Sequence, residues 1–282
     1  MTIEINQLIE KAQLPSSIEV VANLQDIISK GIASAHDFAE EIQSDAGLTA
    51  RIMRLANSAF YGRGAIDNIE QAIVLVGEDD LIALIISTEI IEALHDKNNY
   101  FDMTQFWQES IFSAVSAKII ARRVARPKSR LFTSTLLRRV GWLSLWRAYP
   151  DIAAKIQTQQ AVHSDKKSHI IELSELGFHH ATLSAQLLEY WQLPKSVYEP
   201  IHYYLEPKMA EASYQQDAAI IHLAHQHMHN TFGLLEINWI GDDWLNAILG
   251  IPKEALIAEA DMEVHAHFSR MQSMLLQRQQ AA

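Results

Sequence analysis

The sequence predicts an all-α fold, and three observations point there. Only ten glycines and seven prolines occur in 282 residues, too little punctuation for a protein built of many short strands. Leu, Ile, Ala, Gln and Glu dominate, a composition that favours helices. Apolar residues recur with helical period along almost the whole chain.

The elements follow in order. Ser34 with Asp37 three residues on resembles a capping box, opening a helix to about Ser44. A second helix runs from about Gly47 to Ala59, with Leu48, Ile52, Leu55, Ala56 and Ala59 on one stripe. Gly62 and Gly64 break the chain. Ile66, Ile69, Ile73 and Val76 mark a short helix ended by Gly77. Leu81 to Leu94 is apolar nearly all round, the mark of a buried helix. The polar run His95-Asp-Lys-Asn-Asn sets a boundary between residues 1–98, an N-terminal helical bundle, and residues 99–282, a C-terminal helical bundle packed on it. Thr104 is the expected cap of a helix reaching Arg126 before Pro127. Leu131 to Ala148 reads as one helix closed by Pro150. Helices follow near 151–160, 168–176, 181–191, 194–205, 215–230 and 252–276. Trp107, Trp142, Trp146 and Trp191 fall on core positions of these helices.

Composition narrows the function. The net charge of −11 speaks against nucleic acid as a partner, since phosphate binding draws on clustered Lys and Arg. The local run Arg122, Arg123, Arg126, Lys128 and Arg130 is expected to be a solvated helix C-terminus, where cations offset the dipole. There is no cysteine, hence neither disulfide nor Cys-ligated zinc. Met1 to Lys11 lacks the pattern of a signal peptide. Leu81–Leu94 is too short to span a bilayer and holds Glu89 and Glu92. The expectation is a cytoplasmic protein that engages neither membrane nor nucleic acid and carries no cofactor. No Gly-x-Ser-x-Gly elbow is present to position a nucleophile.

Several motifs then carry a resemblance. The first half has Leu14-Pro15, Ile42-Gln43-Ser44-Asp45-Ala46-Gly47-Leu48-Thr49 and Leu55-Ala56-Asn57-Ser58-Ala59-Phe60-Tyr61-Gly62, followed by Ile69-Glu70-Gln71-Ala72-Ile73. The second half has Phe106-Trp107-Gln108-Glu109-Ser110, Leu136-Leu137-Arg138-Arg139-Val140-Gly141 and Leu176-Gly177-Phe178-His179-His180-Ala181. It continues with Leu188, Trp191, Leu193 and Pro194, then Ile201-His202-Tyr203 and Leu223-Ala224-His225. Over about residues 14–230 this pattern resembles the HDOD family, an HD-related output domain of bacterial signalling. Ala46 departs from the family's usual Pro. Asn57, Ser58, Tyr61 and Gly62 form its most distinctive run. Short polar side chains and a glycine suit a helix-ending corner there, and no catalytic role is assigned to it.

The resemblance also marks what this chain has replaced. Catalytic relatives carry Leu-Leu-His-Asp-Ile-Gly, whose His and Asp hold a divalent metal. Here Arg138 and Arg139 stand in those places. A guanidinium has five donors, no lone pair to give and a pKa above about 12. It repels a cation. Carried over residue by residue, the former metal set becomes Glu109, Arg138, Arg139, His180, His202, Tyr203 and His225. The two arginines also remove the group that would bridge metals and orient a water, so no native metal is expected.

Glu109 is the expected partner of an arginine, since a buried carboxylate is well served by a guanidinium fork. The competing reading leaves both arginines solvated on an outer face. Arg138, Arg139, His180 and His202 could alternatively form a pocket for a small anionic ligand. His222, His225 and His229 share one helix face, with His227 elsewhere. That stripe reads as hydrated and able to capture an added metal. The leading expectation is a non-catalytic signalling module acting in trans on a partner protein or through a small ligand. The alternative is a metal-dependent phosphohydrolase acting on a cyclic nucleotide.

Overall fold

The computed structural model describes residues 102–162, 168–191, 193–233 and 241–264, together with Gln7, Leu8, Lys11, Asn68, Ile69 and Gln71. Among these residues all regular structure is helical. The chain divides into two compact units, Met1–Pro15 with Glu89–Ala260 and Ser16–Thr88 with Asp261–Ala282. The Asn57–Gly62 run and the predicted helices around it lie outside the described residues.

Helices α1 (Met103–Arg123), α2 (Lys128–Leu137), α3 (Val140–Ala148), α4 (Pro150–Val162) and α5 (Ser168–Leu176) come first. They are followed by α6 (His180–Tyr190), α7 (Lys195–Tyr203), a short 3₁₀ turn (Pro207–Met209), α8 (Ala212–Thr231) and α9 (Asp242–Leu249). Residues 253–264 are helical as well. All of α1–α9 falls in the first unit.

The N-cap of α1 is Asp102, whose carboxylate accepts from the Gln105 amide at 3.0 Å; the sequence pointed to Thr104, two residues on. An ionised cap is favoured at the positive helix end. The helix stops three residues short of Arg126. There Ala125 turns left-handed with φ 54°, and the Arg126 amide closes on the Ala121 carbonyl at 2.8 Å. The predicted helix of 131–148 is two helices, interrupted at Arg138 and Arg139. Pro150 opens α4 at its first residue, where a missing N–H costs nothing, and Gly177, at φ 84°, ends α5. Helix α9 lies in a stretch where periodicity predicts no helix.

Helix α1 packs on α2 and α8, while α6 lies against α3 and α7. Their contact faces are nearly dry. Phe106, Phe112, Phe132, Leu136, Leu137, Leu187, Ile201 and Tyr204 are at most 1% exposed. Trp142, Trp146 and Trp191 are buried as the pattern predicts, and Trp107 is half-buried.

Polar ties fix the register. The Ser134 hydroxyl donates to the Val197 carbonyl between α2 and α7. Asp217 of α8, fully buried, accepts from Arg126 Nε and from Arg130, each at 2.6 Å. The basic run is therefore not simply solvated, contrary to the expectation from its sequence. Arg126 and Arg130 turn inward to Asp217, and Arg122 and Arg123 reach Glu259 at 3.2 and 3.3 Å. A buried carboxylate needs compensation that bulk water can no longer give.

Helix α3 meets α6 closely at Gly141. A Cβ there would lie 2.5 Å from the His180 carbonyl oxygen and 2.8 Å from the Ser184 nitrogen. Both are backbone atoms of α6, so neither yields without moving that helix. Glycine-to-alanine changes inside helices ordinarily stabilise by about 1 kcal/mol. Gly141→Ala is expected to reverse that sign and cost about 2 kcal/mol or more through overpacking. Urea unfolding measures it, and a neutral or stabilising result would refute the close crossing.

Candidate functional site

The interruption between α2 and α3 sets the directions of both arginines. The Ser184 hydroxyl, from α6, accepts from the Gly141 amide at 2.9 Å and lies 2.8 Å from the carbonyls of Arg138 and His180. It replaces helix hydrogen bonds that a continuous α2–α3 would have made for itself. A foreign hydroxyl at a helix break is a recognised cause of such a bend.

Arg138 is fully buried, and its Nη1 donates to the Thr135 carbonyl at 2.9 Å. Arg139 emerges on the other side of the break. One of its terminal nitrogens pairs with a carboxylate oxygen of Glu109 on α1, and its guanidinium also lies 5.7 Å from the Phe106 ring centre. The other Glu109 oxygen accepts from Gln105 Nε2 at 2.7 Å. Both Glu109 oxygens are thus engaged in a residue only 3% exposed. The Arg–Glu pair anticipated from the sequence forms, through Arg139. The picture of both arginines solvated on an outer face does not hold, because the α2–α3 break drives Arg138 into the core.

His180 stands at the first turn of α6 within a polar chain. Its Nδ1 is 2.8 and 3.0 Å from the two oxygens of Glu172. Both are acceptors, so Nδ1 carries the proton. Its Nε2 meets the Tyr204 hydroxyl at 2.5 Å. The His180 amide also donates to Glu172, at 2.7 Å. Trp142 stacks on the ring at 6.0 Å. Burial alone would raise the Glu172 carboxyl; the charge and hydrogen bonds of His180 outweigh it and hold the carboxyl below its usual range.

His225 completes the cluster from α8. It is 4% exposed, with its ring edge-on to Tyr204 at 5.2 Å and to His229 at 4.2 Å. Burial, then the charges of Arg138, His222 and His180, push its pKa well down, so the ring is neutral at physiological pH. His222 is fully buried, with Nδ1 3.0 Å from the Tyr204 carbonyl. The face carrying His222 and His225 is therefore packed rather than hydrated as the sequence reading had it. His227 is buried too, against Ser116 at 2.8 Å.

Two of the carried-over positions fall outside this cluster. His202 is half-buried and stacks on Tyr203 at 4.5 Å; burial lowers its pKa against the opposing pull of Glu199 and Glu189. It is Tyr204, not Tyr203, that reaches His180. The inward stripe of α7 runs Val197, Ile201, Tyr204, at i, i+4 and i+7, which places Tyr203 off the core face. Glu172 was also missed. It lies between His169 and Leu176 on the buried stripe of α5, and a carboxylate on a core stripe signals a buried partner.

The residues present do not fit a divalent metal. Arg138 and Arg139 have no lone pair to offer. Glu109 is closed by Arg139 and Gln105, and both His180 nitrogens face protein partners. Among the described residues no group of three or more His, Asp or Glu is arranged to hold an ion. That includes His222, His225 and His229, because Tyr204 engages His222 while His225 and His229 meet edge to face.

The sequence profile of the HDOD domain matches residues 14–207. The chain belongs to the HDOD family. An HDOD domain protein of unknown function from Geobacter sulfurreducens superposes with a TM-score of 0.74 over 95% of this chain and 98% of its own, at 18% identity. A Shewanella amazonensis protein named "putative phosphohydrolase" reaches the same TM-score over 95% of this chain and 96% of its own, at 25% identity. An uncharacterized protein of Treponema pallidum is 25% identical over 198 residues, 68% of this chain, and the chain spans 37% of that protein's length. No described helix is long and apolar enough to cross a membrane.

Two measurements test this cluster. Arg139→Ala leaves the Glu109 carboxylate buried without its cation. The expected loss is about 2–3 kcal/mol, below the 3–5 typical of a fully buried pair because Arg139 is about a fifth exposed. A melting temperature equal to the parent's would refute the staple. The pH dependence follows from the imidazoles. His179, His202 and His225 all have folded pKa values below 6.5, so the unfolded chain binds protons first as the pH falls. Stability should be level above pH 7 and decline from about pH 6.5 downward. It should do so even though the chain is losing net negative charge toward its pI of 5.6. Denaturant unfolding between pH 8 and 5 reads this, and a stability maximum near pH 5 would contradict it.

Proposed function

We propose that this chain is a non-catalytic HDOD module that regulates through contact with a protein partner. One observation carries the reading: at the two positions where resemblance places the metal-holding His and Asp of HD hydrolases stand Arg138, inside the core, and Arg139, closed on Glu109. Hydrolysis in that superfamily relies on a metal to lower the pKa of water and to polarise the phosphoryl group. Here guanidiniums hold the place of the ion.

The engagement of the cluster's donors favours a protein partner over a small anion. The described cluster contains two guanidiniums, Arg138 and Arg139, and two carboxylates, Glu109 and Glu172. His225 beside them is neutral. An anion entering this region would have to displace Glu109 from Arg139 and Glu172 from His180. A pocket made of Arg138, Arg139, His180 and His202 is disfavoured further, because Arg138 is buried and His202 stacks on Tyr203.

The test is metal content together with turnover. Protein purified without chelator and analysed by mass spectrometry is expected to carry far less than one manganese, iron or zinc per chain. It should not hydrolyse bis(p-nitrophenyl) phosphate or cyclic nucleotides when those metals are supplied. Stoichiometric metal with turnover abolished by Glu109→Gln would overturn the reading in favour of a phosphohydrolase.

A further inference from the structure

His179 occupies a position that titratable bases rarely hold. It is the N-cap of α6, in extended conformation with φ −111° and ψ 162°. Its Nδ1 accepts from the Thr182 amide at 3.2 Å and faces the Thr182 hydroxyl at 3.2 Å. Caps are ordinarily Ser, Thr, Asp or Asn, whose oxygens remain acceptors at neutral and mildly acidic pH. An imidazole that accepts at Nδ1 holds its single proton on Nε2. A second proton has only Nδ1 to occupy, and there it would point at an N–H donor. The new charge would also sit at the positive end of the helix dipole.

The surroundings offer that charge little relief. From α5, His169 meets the ring edge-on at 6.4 Å, and Glu172 is the one nearby carboxylate that would favour protonation. That carboxylate is already held by the His180 ring and amide. His180 from α6 and His202 from α7 oppose it. Gly177, two residues earlier, is left-handed, so the joint between α5 and α6 is a short turn closed at one end by this cap.

We propose that His179 is a proton-released latch: uptake of a proton at Nδ1 uncaps α6 and opens the α5–α6 joint locally, while the rest of the helical body stays folded. The released segment would carry His180 away from Glu172 and Tyr204. A mild fall in pH would thereby become a change in the cluster around Arg138.

Native-state hydrogen exchange tests this on the full chain. Burial, with opposition from neighbouring histidines, lowers the His179 pKa from 6.5 to about 4. Linkage then raises the opening constant of the joint roughly thirtyfold between pH 7.5 and pH 5. Protection factors of the Ala181–Ser184 amides should fall by about that ratio. His179→Asn keeps the cap and removes the titration, so it should flatten the pH dependence at these amides and leave the helical circular dichroism intact. An equal fall in His179→Asn would overturn the proposal. So would a His179 titration midpoint at or above 6.5 in the parent protein, read by NMR, which remains available should the variant fold poorly.

Discussion

Everything in the described unit turns on the hydroxyl of Ser184 seated in the gap between α2 and α3. It bridges an amide and a carbonyl that a straight helix would have satisfied internally. With the gap open, consecutive residues face different ways. Arg138 turns into the core and Arg139 toward α1. The same contact draws α6 so close that position 141 has room for nothing larger than a hydrogen. Break, close crossing and arginine placement are one arrangement.

Buried charge is the second constraint. Burying an ion is tolerable where partners replace the lost water, and this unit meets that condition repeatedly. Asp217 has two guanidiniums, Glu109 an arginine and a glutamine, and Glu172 an imidazole and an amide. These pairs join α8 to the α1–α2 turn and α2, the α2–α3 break to α1, and α5 to α6. They contribute less to net stability than their number would imply, since desolvation offsets much of the attraction. Their main effect is on register, because shifting any helix would strand a charge.

In this HDOD protein, buried side-chain pairs tie the helices of the described unit to one another. A divalent cation holds several helices together through its ligands. Here the Arg139–Glu109 pair ties α1 to the α2–α3 break, and the Glu172–His180–Tyr204 chain ties α5, α6 and the end of α7.

The sequence by itself determined the helical class and the buried tryptophans, since these follow from periodicity and composition, and its motifs carried the likeness to the HDOD family that the profile match shows. It also reached the Arg–Glu pair, because a carboxylate predicted near a guanidinium leaves few other partners. It did not reach the split of 131–148 into two helices. Nothing local in Leu-Leu-Arg-Arg-Val stops a helix, and the hydroxyl that does so comes from 43 residues later in the chain. Nor did it distinguish Tyr204 from Tyr203, or find a buried face on α8 where three histidines suggested water. Those outcomes depend on which neighbour covers a given side of a helix, and only the packed structure decides that.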